Sequence, residues 1–206
     1  MIKPIANVLS YFAKLIGKIH WSPTTVLSET ECNTIKELLI PNYYIILTRR
    51  NNHLSTYAIA VGNFFLTGKF SYWSHVLMNT EDEVNDKKDF RLIEAIGTGI
   101  QFSPFDKVFD VQSVAILKPR HIQAWQWTAI LDKAKTELGK PYDTLFDLKS
   151  DSALSCVELV RNALMAEDDY EINFANFEAM IAKNKNLTPE MFYNCPDFEV
   201  IYEIRH

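Results

Sequence analysis

The feature that most constrains the fold of this chain is a change of hydrophobic period near Arg120. Before it, "NYYIILTR", "HVLMN", "DFRLIEAI", "GIQFSPF" and "VQSVAILKP" are short, apolar and rich in β-branched or aromatic residues. Such segments read as strands, and Pro119 closes the last of them. The polar run "TEDEVNDKKD" between the second and third segments reads as a solvated hairpin loop. After Arg120, "HIQAWQWTAILDKAKTEL" has helical spacing and closes at Gly139, a favoured C-cap residue. "KPYD" is turn chemistry, "SCVELVRNALM" is a second helix, and "LTPE" supplies Thr188 as a cap with Pro189 at the first helical position. "FEVIYEI" reads as a closing strand. Upstream, helices are expected over Ile5–Ile19, over "CNTIKELL" with Ser28 or Thr30 as cap, and from Leu54 to Phe65, ending near Gly68. Helices, a run of strands, helices and a last strand argue for an α+β fold with a mainly antiparallel sheet.

At 206 residues, 48% hydrophobic and 13% aromatic, the chain has ample material for one packed core. Residues 1–40 form an expected N-terminal helical extension and residues 41–206 the main domain. A net charge of −5 gives no support to nucleic acid as a partner. No stretch reaches the roughly 20 apolar residues that span a bilayer. The N-terminal segment puts Ile5, Val8, Leu9, Phe12, Leu15, Ile16 and Ile19 on one helical face, with Lys3, Lys14 and Lys18 as its only charges. Such a helix packs on its own domain or lies on an anionic membrane surface. Lys14 and Lys18 interrupt the apolar run and no small-residue cleavage site follows, so a cytoplasmic location is expected, with peripheral membrane contact left open. The three cysteines form no C-x-x-C pair, which suits a reducing compartment. No histidine or cysteine pair has metal-ligand spacing, and "GTG" at Gly97–Gly99 lacks a dinucleotide-binding context. Neither a metal nor another cofactor is therefore expected.

The chemistry-bearing stretch is "SCVELVRNALM". Ser155 and Glu158 have S-x-x-E spacing, the capping box that starts a helix. Cys156 then takes the first helical position, where free amide groups and the helix dipole favour a thiolate. A small apolar core residue fits the same position. A thiolate nucleophile needs a base, and among the five histidines His75 stands at a strand entrance, a rigid mount at the rim of a sheet. It serves equally as a polar strand boundary. In the next strand, alternation puts Phe90, Leu92, Glu94 and Ile96 on one face. If that face is buried, Glu94 needs a partner, and an adjacent imidazolium would supply one; if it is wet, Glu94 is simply solvated. Sequential strands are usually neighbours, which brings His75 and Glu94 within reach of each other.

The ordered set "YWSHVLMN", "LIEAIGTGI", "LGKPYDTLFD", "SCVELVRNAL" and "LTPEMF" resembles the circularly permuted papain-like branch of the NlpC/P60 superfamily, in particular YiiX/YaeF-like proteins. The lecithin:retinol acyltransferase-like proteins share that permutation. In this branch the histidine strand comes first, the polar third residue follows and the cysteine helix comes late, which is the order His75, Glu94, Cys156 here. The resemblance spans about Tyr43 to Phe198. It implies an antiparallel sheet or half-barrel packed against the cysteine helix, and makes residues 41–206 a catalytic domain. It also implies a cysteine hydrolase in which Cys156 is the nucleophile, His75 the base and Glu94 its orienting residue. Tyr142 matches a tyrosine near the active site, there to hold substrate or oxyanion, or merely to pack a turn. The implied substrates are peptide amides of cell-wall type or N-acyl compounds. A lipid-directed acyltransferase and a binding module that keeps the fold without turnover are the alternatives.

Overall fold

The computed structural model describes residues 27–39, 44–50, 71–84, 87–104, 110–120, 122–143, 152–165, 174–183 and 187–206. The helices expected over Ile5–Ile19 and from Leu54 to Phe65 lie outside these described residues. In chain order the elements are α1 (Glu29–Leu39), β1 (Ile45–Arg49), β2 (His75–Val84), β3 (Lys87–Ile96), β4 (Gly99–Pro104), β5 (Ser113–Pro119), α2 (Ala124–Thr136), α3 (Cys156–Leu164), α4 (Ala175–Lys183), α5 (Pro189–Asn194) and β6 (Phe198–Ile204).

The helix starts follow local capping chemistry. Ser28 caps α1: its backbone N–H donates to Glu31 Oε2 at 2.6 Å, and its hydroxyl accepts from the Glu31 N–H. At α2 the chain enters the helix three residues later than the apolar period alone predicts. Gln123 and Gln126 form a reciprocal cap there and hold residue 123 extended. Gly139, at φ +85°, closes the turn after α2. Thr188 and Pro189 open α5 as expected.

The strands form one six-stranded sheet in the order β4-β3-β2-β1-β5-β6, with every pairing antiparallel. One expectation is corrected here. The run "TEDEVNDKKD" is not a loop, because β2 and β3 remain paired through it as far as Val84 and Lys87. Side-chain polarity does not interrupt a backbone ladder, and the hairpin extends on main-chain pairing.

Alternation along the strands divides the core in two. Ile45, Leu47, Val76, Met78, Ile93, Ala95, Ala115 and Leu117 pack with residues of α2, α3, α4 and α5. Ile46, Leu77, Leu92, Val114 and Ile116 pack with Ile35 and Leu39 of α1. The sheet therefore has helical cover on both faces, which fits an α+β fold with α3 against the sheet. α3 lies on β2 and β3. Beyond it, Phe174, Phe177, Phe192 and Phe198 interlock with ring centroids 4.8–5.8 Å apart, tying α4 and α5 to β6.

Candidate active site

Cys156 takes the first position of α3, and the reciprocal cap expected from sequence is present. Ser155 Oγ accepts the Glu158 N–H at 3.4 Å, and Glu158 Oε2 accepts the Ser155 N–H at 2.8 Å. Both capping residues are buried, so water does not compete for these bonds. The cap fixes where the helix begins and therefore where the thiol stands.

His75 is the first residue of β2, in register with Thr48 of β1. Its Nε2 lies 2.7 Å from Glu94 Oε2 on β3. Glu94 is only 3% exposed, which settles the alternation question: the face it shares with Leu92 is buried and the carboxylate has a partner. The Ser103 hydroxyl on β4 donates to the other oxygen, Oε1. Both carboxylate oxygens are thus held by neighbouring strands, and the group is fixed in position. Gln101 Nε2 donates in turn to Ser103 Oγ at 3.4 Å, and Thr98 Oγ1 to Gln101 Oε1 at 2.8 Å.

With Nε2 committed to Glu94, the nitrogen left for the thiol is Nδ1. Burial acts to lower the His75 pKa, but the charge and hydrogen bond of Cys156, followed by the hydrogen bond and charge of Glu94, raise it from 6.5 to about 9. The rise favours the charged imidazolium form of His75. The His75 side chain keeps 22% of its surface exposed, whereas Cys156 keeps 2%.

Tyr142 reaches the same site through the backbone. Residues 142 and 154 form an isolated parallel bridge, in which the Leu154 N–H donates to the Pro141 carbonyl at 3.1 Å and the Asp143 N–H to the Leu154 carbonyl at 3.3 Å. The tyrosine is therefore pinned beside the residues that lead into Cys156. Burial, then the charges of Cys156, Asp143 and Glu158, push its phenol far above the ordinary value. It remains a neutral O–H donor at any working pH.

His206 pairs with Glu31 at 3.3 Å, and His20, His53 and His121 lie outside the described residues. Cys32 and Cys195 are thiols whose pKa burial raises, that of Cys195 to about 11. Among the described residues, no group of three or more His, Cys, Asp or Glu side chains is arranged to hold a metal ion. Sequence reasoning missed Ser103. A small hydroxyl two residues past the pairing partner of Glu94 carries no signal until the β3–β4 register is known.

The family model described as permuted papain-like amidase enzyme, YaeF/YiiX, matches residues 45–202. Among solved structures, the chain resembles the crystal structure of metalloprotein YiiX from Escherichia coli, with a TM-score of 0.54 and 20% identity. That alignment covers 90% of this chain and 100% of the other. A search of curated proteins finds no match.

Proposed function

The chain belongs to the permuted papain-like amidase family of YaeF and YiiX, and from that premise we propose that Cys156, His75 and Glu94 form its catalytic triad. The observation that carries the proposal is the bond of 2.7 Å between His75 Nε2 and Glu94 Oε2, with Cys156 as the largest influence raising the His75 pKa.

In the proposed cycle the Cys156 thiolate attacks an amide carbonyl, and the oxyanion is held by the Cys156 backbone N–H with the Tyr142 hydroxyl beside it. Imidazolium Nδ1–H protonates the leaving nitrogen, the C–N bond breaks, and a thioester remains on Sγ. The neutral imidazole then takes a proton from water, whose oxygen attacks the thioester. Collapse of that intermediate breaks the C–S bond and expels the thiolate, so the products are a carboxylic acid, a free amine and the original thiolate–imidazolium pair. Glu94 stays ionised throughout, fixing the ring orientation and stabilising its charged form. Peptide amides and N-acyl amines are the substrate class this chemistry serves.

Cys156→Ala and His75→Ala are expected to abolish amide hydrolysis while leaving the circular dichroism spectrum of the folded protein in place. A Cys156→Ala protein that still turns over would overturn the mechanism. Iodoacetamide labelling supplies a readout that needs no substrate. Fast labelling of Cys156 well below the ordinary thiol value of about 8.5 marks an activated thiolate. Burial raises the pKa of both Cys32 and Cys195, so neither competes strongly in that range.

A further inference from the structure

His75 is delivered by the short segment Ser71–Ser74, and four separate parts of the chain grip it. The Ser74 N–H donates to the Thr48 carbonyl of β1 at 3.1 Å. The Arg49 guanidinium donates to the Tyr72 carbonyl at 3.2 Å and stacks 4.4 Å from the Tyr72 ring. Tyr72 Oη shares a hydrogen bond of 2.8 Å with Ser113 Oγ of β5, and Arg205 lies 4.7 Å from the Tyr72 ring centroid and 5.5 Å from that of Trp73. These contacts hold side chains, one carbonyl and the N–H of residue 74. The backbone N–H groups of Tyr72 and Trp73 have a different partner. Both donate to one carboxylate oxygen, Glu190 Oε2 of α5, at 2.8 and 3.3 Å. The Ser71 hydroxyl lies 3.5 Å from the same atom and donates to the Trp73 carbonyl at 2.7 Å.

We propose that Glu190 is a positioning residue for His75: its carboxylate grips the Tyr72 and Trp73 N–H groups and so sets where the imidazole stands relative to Cys156 and Glu94. This rests on the reading of Cys156 and His75 as the catalytic pair. Trp73 is fully buried, so its backbone N–H needs an acceptor within the protein. Two N–H groups on one acceptor oxygen fix the direction of the segment as well as its distance. His75 follows Trp73 by two residues, and a displacement of about 1 Å at a reacting group costs on the order of a hundredfold in rate. The influences that shift His75 are burial, Cys156 and Glu94, and Glu190 is not among them. Glu190 acts by placement rather than by its field.

A purely structural role makes the opposite prediction. Glu190 is also the acidic residue in the first turn of α5, where any carboxylate complements the helix dipole. Two conservative variants separate the roles. Glu190→Asp keeps the charge and loses the reach, whereas Glu190→Gln keeps the reach and an acceptor oxygen and loses the charge. The experiment is the pH profile of iodoacetamide labelling at Cys156 in the full chain, with the melting temperature measured in parallel. Under the proposal, Glu190→Asp slows labelling below pH 7 by about tenfold, the equivalent of one pKa unit in the thiolate–imidazolium pair. Glu190→Gln stays near the wild-type profile. A Glu190→Asp protein with the wild-type profile overturns the proposal, whatever its melting temperature. His75→Ala is the reference: if it labels like wild type, the catalytic pair itself is wrong. If it is slow while Glu190→Asp is not, only the role of Glu190 is refuted.

Discussion

A double-mutant cycle between His75 and Glu94 tests the centre of the site without a substrate. At an effective dielectric of about 20, unit charges about 4 Å apart attract by about 4 kcal/mol, which bounds the pair from above. The pKa gives a second measure. A rise from 6.5 to about 9, at about 1.4 kcal/mol per unit, amounts to about 3 kcal/mol. Cys156 is the larger source of that rise. A hydrogen bond to a charged group is worth about 1.5–3 kcal/mol, and the 22% of the His75 side chain that meets solvent puts this one at the low end, about 1–2 kcal/mol. Single replacements overstate this value. His75→Ala leaves a buried carboxylate without its cation, a loss of about 3–5 kcal/mol until Glu94 takes up a proton. The cycle of His75→Ala, Glu94→Gln and the double variant removes that excess. Its sign with pH follows from the raised pKa. The imidazolium is present in both folded and unfolded chains below pH 6.5, so the ion-pair stabilisation is complete there. It is lost as pH rises from 6.5 through about 9, where the folded imidazole gives up its proton. Urea unfolding at pH 6 is expected to give a coupling of about 1–2 kcal/mol, and at pH 10 a smaller one, because a neutral imidazole N–H then meets the carboxylate without the attraction of opposite charges. Additive single-variant losses at pH 6, or a coupling that grows toward pH 10, would refute the reasoning.

Two further changes probe the shell around this pair. Ser103→Ala removes a donor on Glu94 Oε1, so a buried carboxylate loses an anchor. Steady-state kinetics are expected to show a fall in kcat of about tenfold with KM nearly unchanged, since a bond to a charged group is worth about 1.5–3 kcal/mol. An unchanged kcat would remove Ser103 from the site. Gly99→Ala tests the turn that supports Tyr142, because Gly99 has φ +112° and an added Cβ would stand 2.7 Å from the Lys140 carbonyl oxygen. That carbonyl accepts the Ile100 N–H at 2.9 Å, so the clash pushes apart the β3–β4 turn and the chain leading to Tyr142. A stability loss of about 1–3 kcal/mol by thermal unfolding is expected, and a wild-type melting temperature would count against this account.

What could be read from the sequence was local, and what could not was long-range. Ser155 and Glu158 are three residues apart, so their cap is written in the sequence and needs no partner from elsewhere. The alternation that buries Glu94 beside Leu92 is also a property of one strand, and only its partner had to be guessed from strand order. The polar run after "HVLMN" misled because side-chain polarity reports solvent, whereas strand continuation depends on the backbone ladder. α4 was not anticipated. Its N-terminus is capped from a distance, with Asp197 accepting the Phe177 N–H at 2.8 Å and the Asn176 side chain at 2.6 Å. Ser103 and Glu190 share that difficulty. A serine becomes a carboxylate anchor, and a first-turn glutamate an acceptor for residues more than a hundred positions earlier, only after the chain has folded.

The proposed triad draws on different layers of the fold, and this determines what controls its spacing. His75, Glu94 and Ser103 sit on adjacent paired strands, so their spacing is a matter of sheet register, which a slip of one residue would destroy outright. Cys156 arrives on α3, which lies across β2 and β3 instead of pairing with them in a backbone ladder. Its distance from His75 is set by packing: Val157, Leu159, Val160 and Ala163 share a core with Val76, Met78, Ile93 and Ala95. Close-packed interiors do not yield continuously to a change in volume; they shift or leave a void. The apolar residues between α3 and the sheet therefore act as the spacer of the proposed triad. The capping box at Ser155 serves the same end along the other axis, since it fixes the start of the helix while the core fixes its depth.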